Sequence, residues 1–262
     1  MKQRIVTGLV AALLFLPLVL IGGLPFVLLI YLMATIAFFE IMRMKKVPAL
    51  SRQALLSVMI LWLFLIPSEY GRFFASAGLA KEEYLFALIF VLLMITVATK
   101  NEVPYETIGF CLLTVFYLGI GFYYMMEIRA AGLDLFLYAL FVIWATDSGA
   151  YFFGRSFGKR KLWPEVSPKK TVEGSAGGTL CALLVGAAFY FFPGWDMGFF
   201  QTVLTAFLLS VIGQIGDLVE SALKRAYHVK DSGNILPGHG GILDRVDSWL
   251  FVMPFLHFFL IW

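Results

Sequence analysis

"IVTGLVAALLFLPLVLIGGLPFVLLIYLMATIAFF" runs from Ile5 to Phe39 without one charged side chain. A bilayer core about 30 Å thick takes roughly 20 helical residues to cross, so the stretch is long enough for two crossings. Inside hydrocarbon the backbone must satisfy its own hydrogen bonds, which leaves helices or a closed barrel. The run is continuous rather than alternating, and that selects helices. Gly22-Gly23-Leu24-Pro25 divides it, so the two halves read as a tight helical hairpin. Lys2 and Arg4 would also suit the start of a secretory leader, but no small-x-small cleavage site precedes Pro25, and a retained helix is the expectation.

The rest of the chain follows the same rule. Of its 262 residues, 61% are hydrophobic and 14% charged, against roughly 45–50% and about 25% in soluble domains. Apolar segments recur at about 5–22, 24–42, 54–67, 84–99, 105–126, 133–153, 174–192, 199–220 and 248–262. The expected fold is therefore an all-α polytopic integral membrane protein of about nine transmembrane helices. With the amino terminus cytoplasmic, 17 of the 20 Lys and Arg residues fall on the cytoplasmic side. Only Arg72, Lys81 and Arg129 fall opposite, as the positive-inside rule requires. Residues 1–262 read as one membrane domain, with 1–143 mainly scaffold and 144–262 the catalytic half. The cytoplasmic loops of that half are 154–173 and 221–247. Cys111 and Cys181 lie inside apolar runs, without ligand or disulfide spacing, and read as packing residues.

The polar residues gather in few places. Asp217, Glu220, Ser221 and Lys224 stand at i, i+3, i+4 and i+7, on one helical face at the membrane boundary. A carboxylate there is costly unless paired or bound to metal. Gly213 and Gly216 on the preceding turns would admit another backbone or a phosphate. Asp244 and Asp247 share a face at the start of the last helix; capping explains one acid there, at Asp247 or Ser248, but not Asp244, Asp231 and Asp217 as well. Convergent oxygen ligands without cysteine suit a hard cation such as Mg2+. Pro237-Gly238-His239-Gly240-Gly241 is a turn whose amides could hold phosphate, or an ordinary loop. His228 and His257 read as structural. Six cations lie in the stretch from Gly154 to Gly178, where Lys169 and Lys170 precede a helix start that Thr171 or Ser167 can cap. That combination suits a phosphate, although positive-inside charge or lipid head-group binding would also explain it. Asp147 is an acid inside the sixth span, functional by default.

From Ser221-Ala222-Leu223-Lys224-Arg225, through Lys230-Asp231-Ser232-Gly233, to Leu236-Pro237-Gly238-His239-Gly240-Gly241-Ile242-Leu243-Asp244-Arg245-Val246-Asp247, the sequence resembles the signature of phosphatidate cytidylyltransferases, also called CDP-diacylglycerol synthases. The stretches 147–151 and 167–174, and the opening Lys2-Gln3-Arg4-Ile5, are similar to bacterial members. The resemblance implies a magnesium-dependent enzyme of the bacterial cytoplasmic membrane. It would convert CTP and phosphatidic acid to CDP-diacylglycerol and pyrophosphate, with its active site facing the cytoplasm. The aspartates that the family uses for metal match Asp217 and Asp244, with Asp247 and Asp231 close by in sequence.

The nucleophile, a phosphate oxygen, is already anionic at neutral pH and needs no strong base. Catalysis then rests on positioning and charge neutralisation. The expected catalytic set is Asp217, Asp244, Lys224 and Lys230. Substrate contacts are expected from Lys169, Lys170, Thr171, Ser221, Arg225, His239, Gly240, Gly241 and Arg245. The bilayer and the two substrates are the expected partners, with no nucleic acid, and a homodimer is expected only by analogy. A transporter or a CTP-dependent polyprenol kinase is the alternative. A transporter would gather its acids at mid-membrane, and a kinase would release a lipid phosphate. The spaced aspartates of CDP-alcohol phosphotransferases are missing.

Overall fold

The structure is a computed structural model that describes residues 2–70 and 81–261; Met1, Arg72 and Trp262 lie outside the described residues. Among these residues there are nine α-helices: α1 Lys2–Ile21, α2 Gly23–Met44, α3 Arg52–Phe64, α4 Lys81–Ala98, α5 Tyr105–Ala131, α6 Leu133–Phe157, α7 Val172–Phe189, α8 Phe199–Ala226 and α9 Leu243–Ile261. Each coincides with one apolar segment of the sequence. Five of them, α2, α5, α6, α7 and α8, are long and apolar enough to cross a membrane by length and composition. The fold is thus polytopic and helical, with one addition. Strands β1 (Lys161–Trp163) and β2 (Ser167–Thr171) pair antiparallel, Lys161 opposite Thr171 and Trp163 opposite Ser167.

That hairpin corrects the expectation of a plain loop at 154–173. Pro164 sits where proline favours a turn, and the turn closes by Val166 N–H donating to the Trp163 carbonyl. The loop 221–247 also shortens, since α8 continues to Ala226 and α9 begins at Leu243. The extension of α8 has a local cause: Lys224 forms an ion pair with Glu220 one turn back, which holds the helix together past its apolar run.

Close Cα neighbours divide the chain into two compact units, Met1–Glu127 with Asp231–Asp244 and Ile128–Lys230 with Arg245–Trp262. In the first, the chain reverses between α1 and α2 through Gly22 (φ 68°) and Gly23 (φ 55°), a left-handed pair that glycine adopts without a Cβ clash. Helix α2 buries Phe26, Ile30, Met33, Ala34, Ala37, Phe38 and Ile41. This is the three-and-four spacing of a helix with one inward face. Helix α5 does the same with Ile108, Cys111, Val115, Leu118, Phe122 and Met125. Cys111 is a buried packing residue whose sulfur lies 3.8 Å from that of Met42. Leu9, Leu13, Leu20, Leu24, Leu28 and Leu32 remain outward-facing on α1 and α2, as hydrocarbon permits.

In the second unit α6, α7 and α8 pack through small residues. A Cβ at Gly178 would fall 2.5 Å from the Thr146 carbonyl oxygen, and one at Gly216 would fall 2.9 Å from that of Asp247. The Gly216 approach expected of a backbone is therefore made by α9. Hydroxyls and one amide link the three helices: Thr146 to Ser210 (3.0 Å), Ser210 to Thr179 (3.2 Å), Gln214 to Thr179 (3.1 Å), and Ser175 to Gln214 (2.5 Å). Such bonds hold helices together where packing alone gains little over lipid. Tyr138, Phe189 and Trp195 close the other end of the unit, with the Tyr138 hydroxyl donating to the Thr202 carbonyl at 2.6 Å.

Two stability outcomes follow from these contacts. Gly178→Val should separate α6 from α7 and cost about 1–3 kcal/mol, the usual penalty of overpacking, read as a lower unfolding temperature in detergent. Lys224→Met should cost about 3 kcal/mol by removing the cation paired with the buried Glu220. Adding Glu220→Gln should restore most of that loss, and thermal unfolding of the single and double variants measures it.

Candidate active site

The second unit holds a cleft of about 330 Å³. Helix α6 supplies Asp147, Tyr151 and Arg155 to its wall, β2 supplies Lys169 and Lys170, α7 supplies Ser175, and α8 supplies Gln214 and Asp217. The hairpin puts the lysines there, because β2 leads straight into α7. Thr171 caps that helix, its Oγ1 accepting the Gly174 N–H at 3.1 Å, the ordinary role of threonine at this position. Glu173 anchors the other strand's approach by accepting the amides of Lys159 (3.0 Å) and Arg160 (3.2 Å).

At the centre, Lys170 Nζ lies 2.7 Å from Asp217 Oδ2, both side chains about a quarter to a third exposed. Ser221 Oγ donates to Asp217 Oδ1 at 3.3 Å. Asp147 lies within electrostatic reach of Asp217, Lys170 and Arg245. Asp247 lies within reach of Asp217, Asp147 and Lys224. Expected site residues Asp217, Asp247, Lys169, Lys170, Thr171, Ser221, Lys224 and Arg245 thus belong to one neighbourhood. Asp147 joins them. Arg225 instead donates to the Val229 carbonyl at 3.0 Å and closes the turn after α8, and Lys230 is exposed.

The stretch 231–244 belongs to the first unit. Asp244 Oδ2 accepts the Ser232 amide (2.8 Å), the Ser232 hydroxyl (2.7 Å) and the Gly241 amide (2.8 Å). Glu40 of α2 accepts the amides of Ile242 and Leu243, each at 2.9 Å. Of the glycine-rich turn that the sequence offers to phosphate, the Gly241 amide is therefore engaged by the protein's own Asp244, and the next two amides, Ile242 and Leu243, by Glu40. His239 donates its backbone amide to Leu236, and its ring Nδ1 is buried without a hydrogen-bond partner among the described residues. Asp231 is exposed.

Sequence reasoning missed Glu40, Gln214, Ser175, Tyr151 and Arg155. For Glu40 a signal existed: it is a lone acid at the end of an otherwise uncharged span. Tyr151 and Arg155 lie in stretches the sequence marked without being singled out there, and Gln214 and Ser175 carry no distinguishing pattern.

The carboxylates test the fit of a metal. Asp147, Asp217 and Asp247 are oxygen donors that repel one another, with no thiolate or imidazole in the set. Their chemistry suits a hard divalent ion such as Mg2+. Among the described residues, no group of three or more such side chains already stands at ligating separation.

Residues 2–262 match the Cytidylyltransferase family. A Bacillus subtilis (strain 168) protein named phosphatidate cytidylyltransferase is 53% identical, over 99% of this chain and 97% of the relative. Proteins of the same name from Staphylococcus haemolyticus (strain JCSC1435) and Staphylococcus saprophyticus subsp. saprophyticus are 45% and 44% identical. Both matches cover 100% of this chain and 99% of the relative. With its whole described length matched, the chain belongs to the cytidylyltransferase family.

Proposed function

We propose that this chain is a phosphatidate cytidylyltransferase, making CDP-diacylglycerol and pyrophosphate from CTP and phosphatidic acid. The observation that carries the proposal beyond family membership is the cleft in which Lys170 pairs with Asp217 beside Asp147. In the reaction a phosphatidate oxygen forms a bond to the α-phosphorus of CTP. The bond from that phosphorus to the bridging oxygen breaks, and pyrophosphate leaves with the electron pair. No proton has to be removed from the nucleophile. What the protein must do is bring two polyanions together, and that work falls to positive charge held in place.

In this proposal Lys169 and Lys170 bind substrate phosphate at the end of β2, with Thr171 fixing the strand-to-helix turn behind them. Arg245, Lys224, Arg225 and Lys230 add positive charge for the triphosphate and the departing pyrophosphate. Ser221 orients Asp217. His239, Gly240 and Gly241 shape their turn. Asp217 and Asp247 are the carboxylates we assign to Mg2+ in the second unit, with Asp147 near them. Asp244 is assigned to Mg2+ from the sequence and its resemblance, and Asp231 from its closeness to Asp244 in the sequence. When bound, Mg2+ supplies charge neutralisation at phosphate oxygens.

The proposal extends to topology. All nine helices cross the cytoplasmic membrane, with the amino terminus and the active site on the cytoplasmic face, as the distribution of Lys and Arg supports. A homodimer is included by analogy with compact membrane enzymes alone.

Purified protein should release pyrophosphate and form CDP-diacylglycerol from labelled CTP and phosphatidic acid. It should lose that activity with EDTA and regain it with Mg2+. Recovery of a lipid phosphate instead would make it a kinase. Asp217→Asn should lower kcat by about 1,000-fold or more, in the range of losing a central electrostatic group, while inserting and unfolding like the wild type. Single cysteines at Lys46 and Lys159 should react with a membrane-impermeant reagent only from the cytoplasmic side; reaction from the outside would reverse the topology.

A further inference from the structure

Glu40 is 7% exposed, on a helix that otherwise buries apolar side chains. A carboxylate in such a place needs donors, and two backbone amides and a hydroxyl shared with Asp244 come from one distant stretch of chain. Ile242 N–H reaches Oε1 and Leu243 N–H reaches Oε2, each at 2.9 Å; the Ser232 hydroxyl lies 3.2 Å from Oε2. The backbone around them is shaped to admit this carboxylate. A Cβ at Gly233 would come within 2.5 Å of Glu40 Oε1, and one at Gly241 within 2.4 Å. Two glycines of the signature stretch thus leave room for an acid on α2.

The same groups set Asp244. Ser232 donates its amide and hydroxyl to Asp244 Oδ2, and Gly241 donates its amide to the same oxygen. Ser232 stands between the two acids, 2.7 Å from one and 3.2 Å from the other. Glu40 also fixes Ile242 and Leu243, between Gly241 and Asp244 in the chain. Both of these donor residues, Ser232 and Gly241, are therefore either touched by Glu40 or adjacent to a residue that is. A carboxylate used only to start a helix would need the Ile242 and Leu243 amides, not the shared serine or the paired glycines.

We propose that Glu40 is a positioning residue for nucleotidyl transfer, holding the stretch 231–243 so that the carboxylate of Asp244 keeps one orientation. The inference rests on the function proposed above, in which Asp244 serves the reaction. Glu40 itself touches neither substrate.

The test uses full-length protein in detergent with two readouts: hydrogen exchange at the 241–243 amides without nucleotide or metal, and steady-state kinetics with CTP and phosphatidic acid. Glu40→Gln should raise exchange at Ile242 and Leu243 by about 10- to 100-fold, as buried bonds to a charged acceptor weaken. It should lower kcat by about 10- to 100-fold while the KM for phosphatidic acid stays within about twofold, the signature of lost transition-state geometry. Glu40→Asp, which keeps the charge on a shorter arm, should recover part of the kcat that Glu40→Ala loses. Faster exchange with wild-type kcat would reduce Glu40 to a brace of the fold and overturn the proposal, as would wild-type behaviour in both readouts. Should Glu40→Gln fail to fold, Ser232→Ala decides. It removes the shared hydroxyl but neither charge, and a wild-type kcat in that variant would equally overturn the proposal. An inactive wild type would instead refute the proposed function.

Discussion

A carboxylate beside hydrocarbon has to be answered by a cation, by hydrogen-bond donors or by a metal, and the arrangement of this chain follows from how each acid is answered. Glu220 takes the cation of Lys224 on its own helix. Glu40 takes backbone amides and a serine from nearly the other end of the sequence. Asp217 takes Lys170. The first answer extends a helix, the second fixes a loop, and the third lies in an open cleft. Only the third leaves charge where a soluble molecule can reach it.

The cleft exists because its walls can come close. Helices do not gain much from apolar contact in lipid, so close backbone approach and interhelical hydrogen bonds do the holding. Gly178 and Gly216 provide the approach, and the series from Thr146 to Ser175 provides the bonds. Its last two members, Gln214 and Ser175, share the cleft wall with Asp217, which lies one turn beyond Gln214 along α8. The groups that tie the bundle together are thus continuous with those that line the site, and a change in helix packing would be felt at Asp217.

Most of this architecture was readable, because uninterrupted apolar runs have few alternatives in a membrane. Nine segments became nine helices among the described residues, and of the two caps the sequence allowed, Thr171 or Ser167, Thr171 is the one used. The hairpin at 161–171 was not. Its strands are three and five residues long, too short to show alternation, and its lysines read as positive-inside charge. Glu40 was hidden by its neighbours, since Arg43, Lys45 and Lys46 make it look like the start of a wetted helix end. The turn around Gly240 shows a different limit. Glycines and free amides announce an anion, and the sequence could not say that anions from Glu40 and Asp244 would be the ones received.

Pairing with Asp217 does not remove Lys170 from service. An ammonium group has three donors, and the contact at Asp217 Oδ2 uses one of them. A phosphate oxygen can take another while the pair stays intact, so the lysine remains aimed instead of searching its rotamers when substrate arrives. The pair also holds the acid in place, with Ser221 on its other oxygen. Asp147 and Asp247 stand within electrostatic reach of Asp217, so whatever negative charge they carry opposes a bare polyanion there. A triphosphate accompanied by a divalent ion carries the charge that these acids lack. Under the function proposed above, the site would therefore take the metal complex of a nucleotide in preference to the free nucleotide.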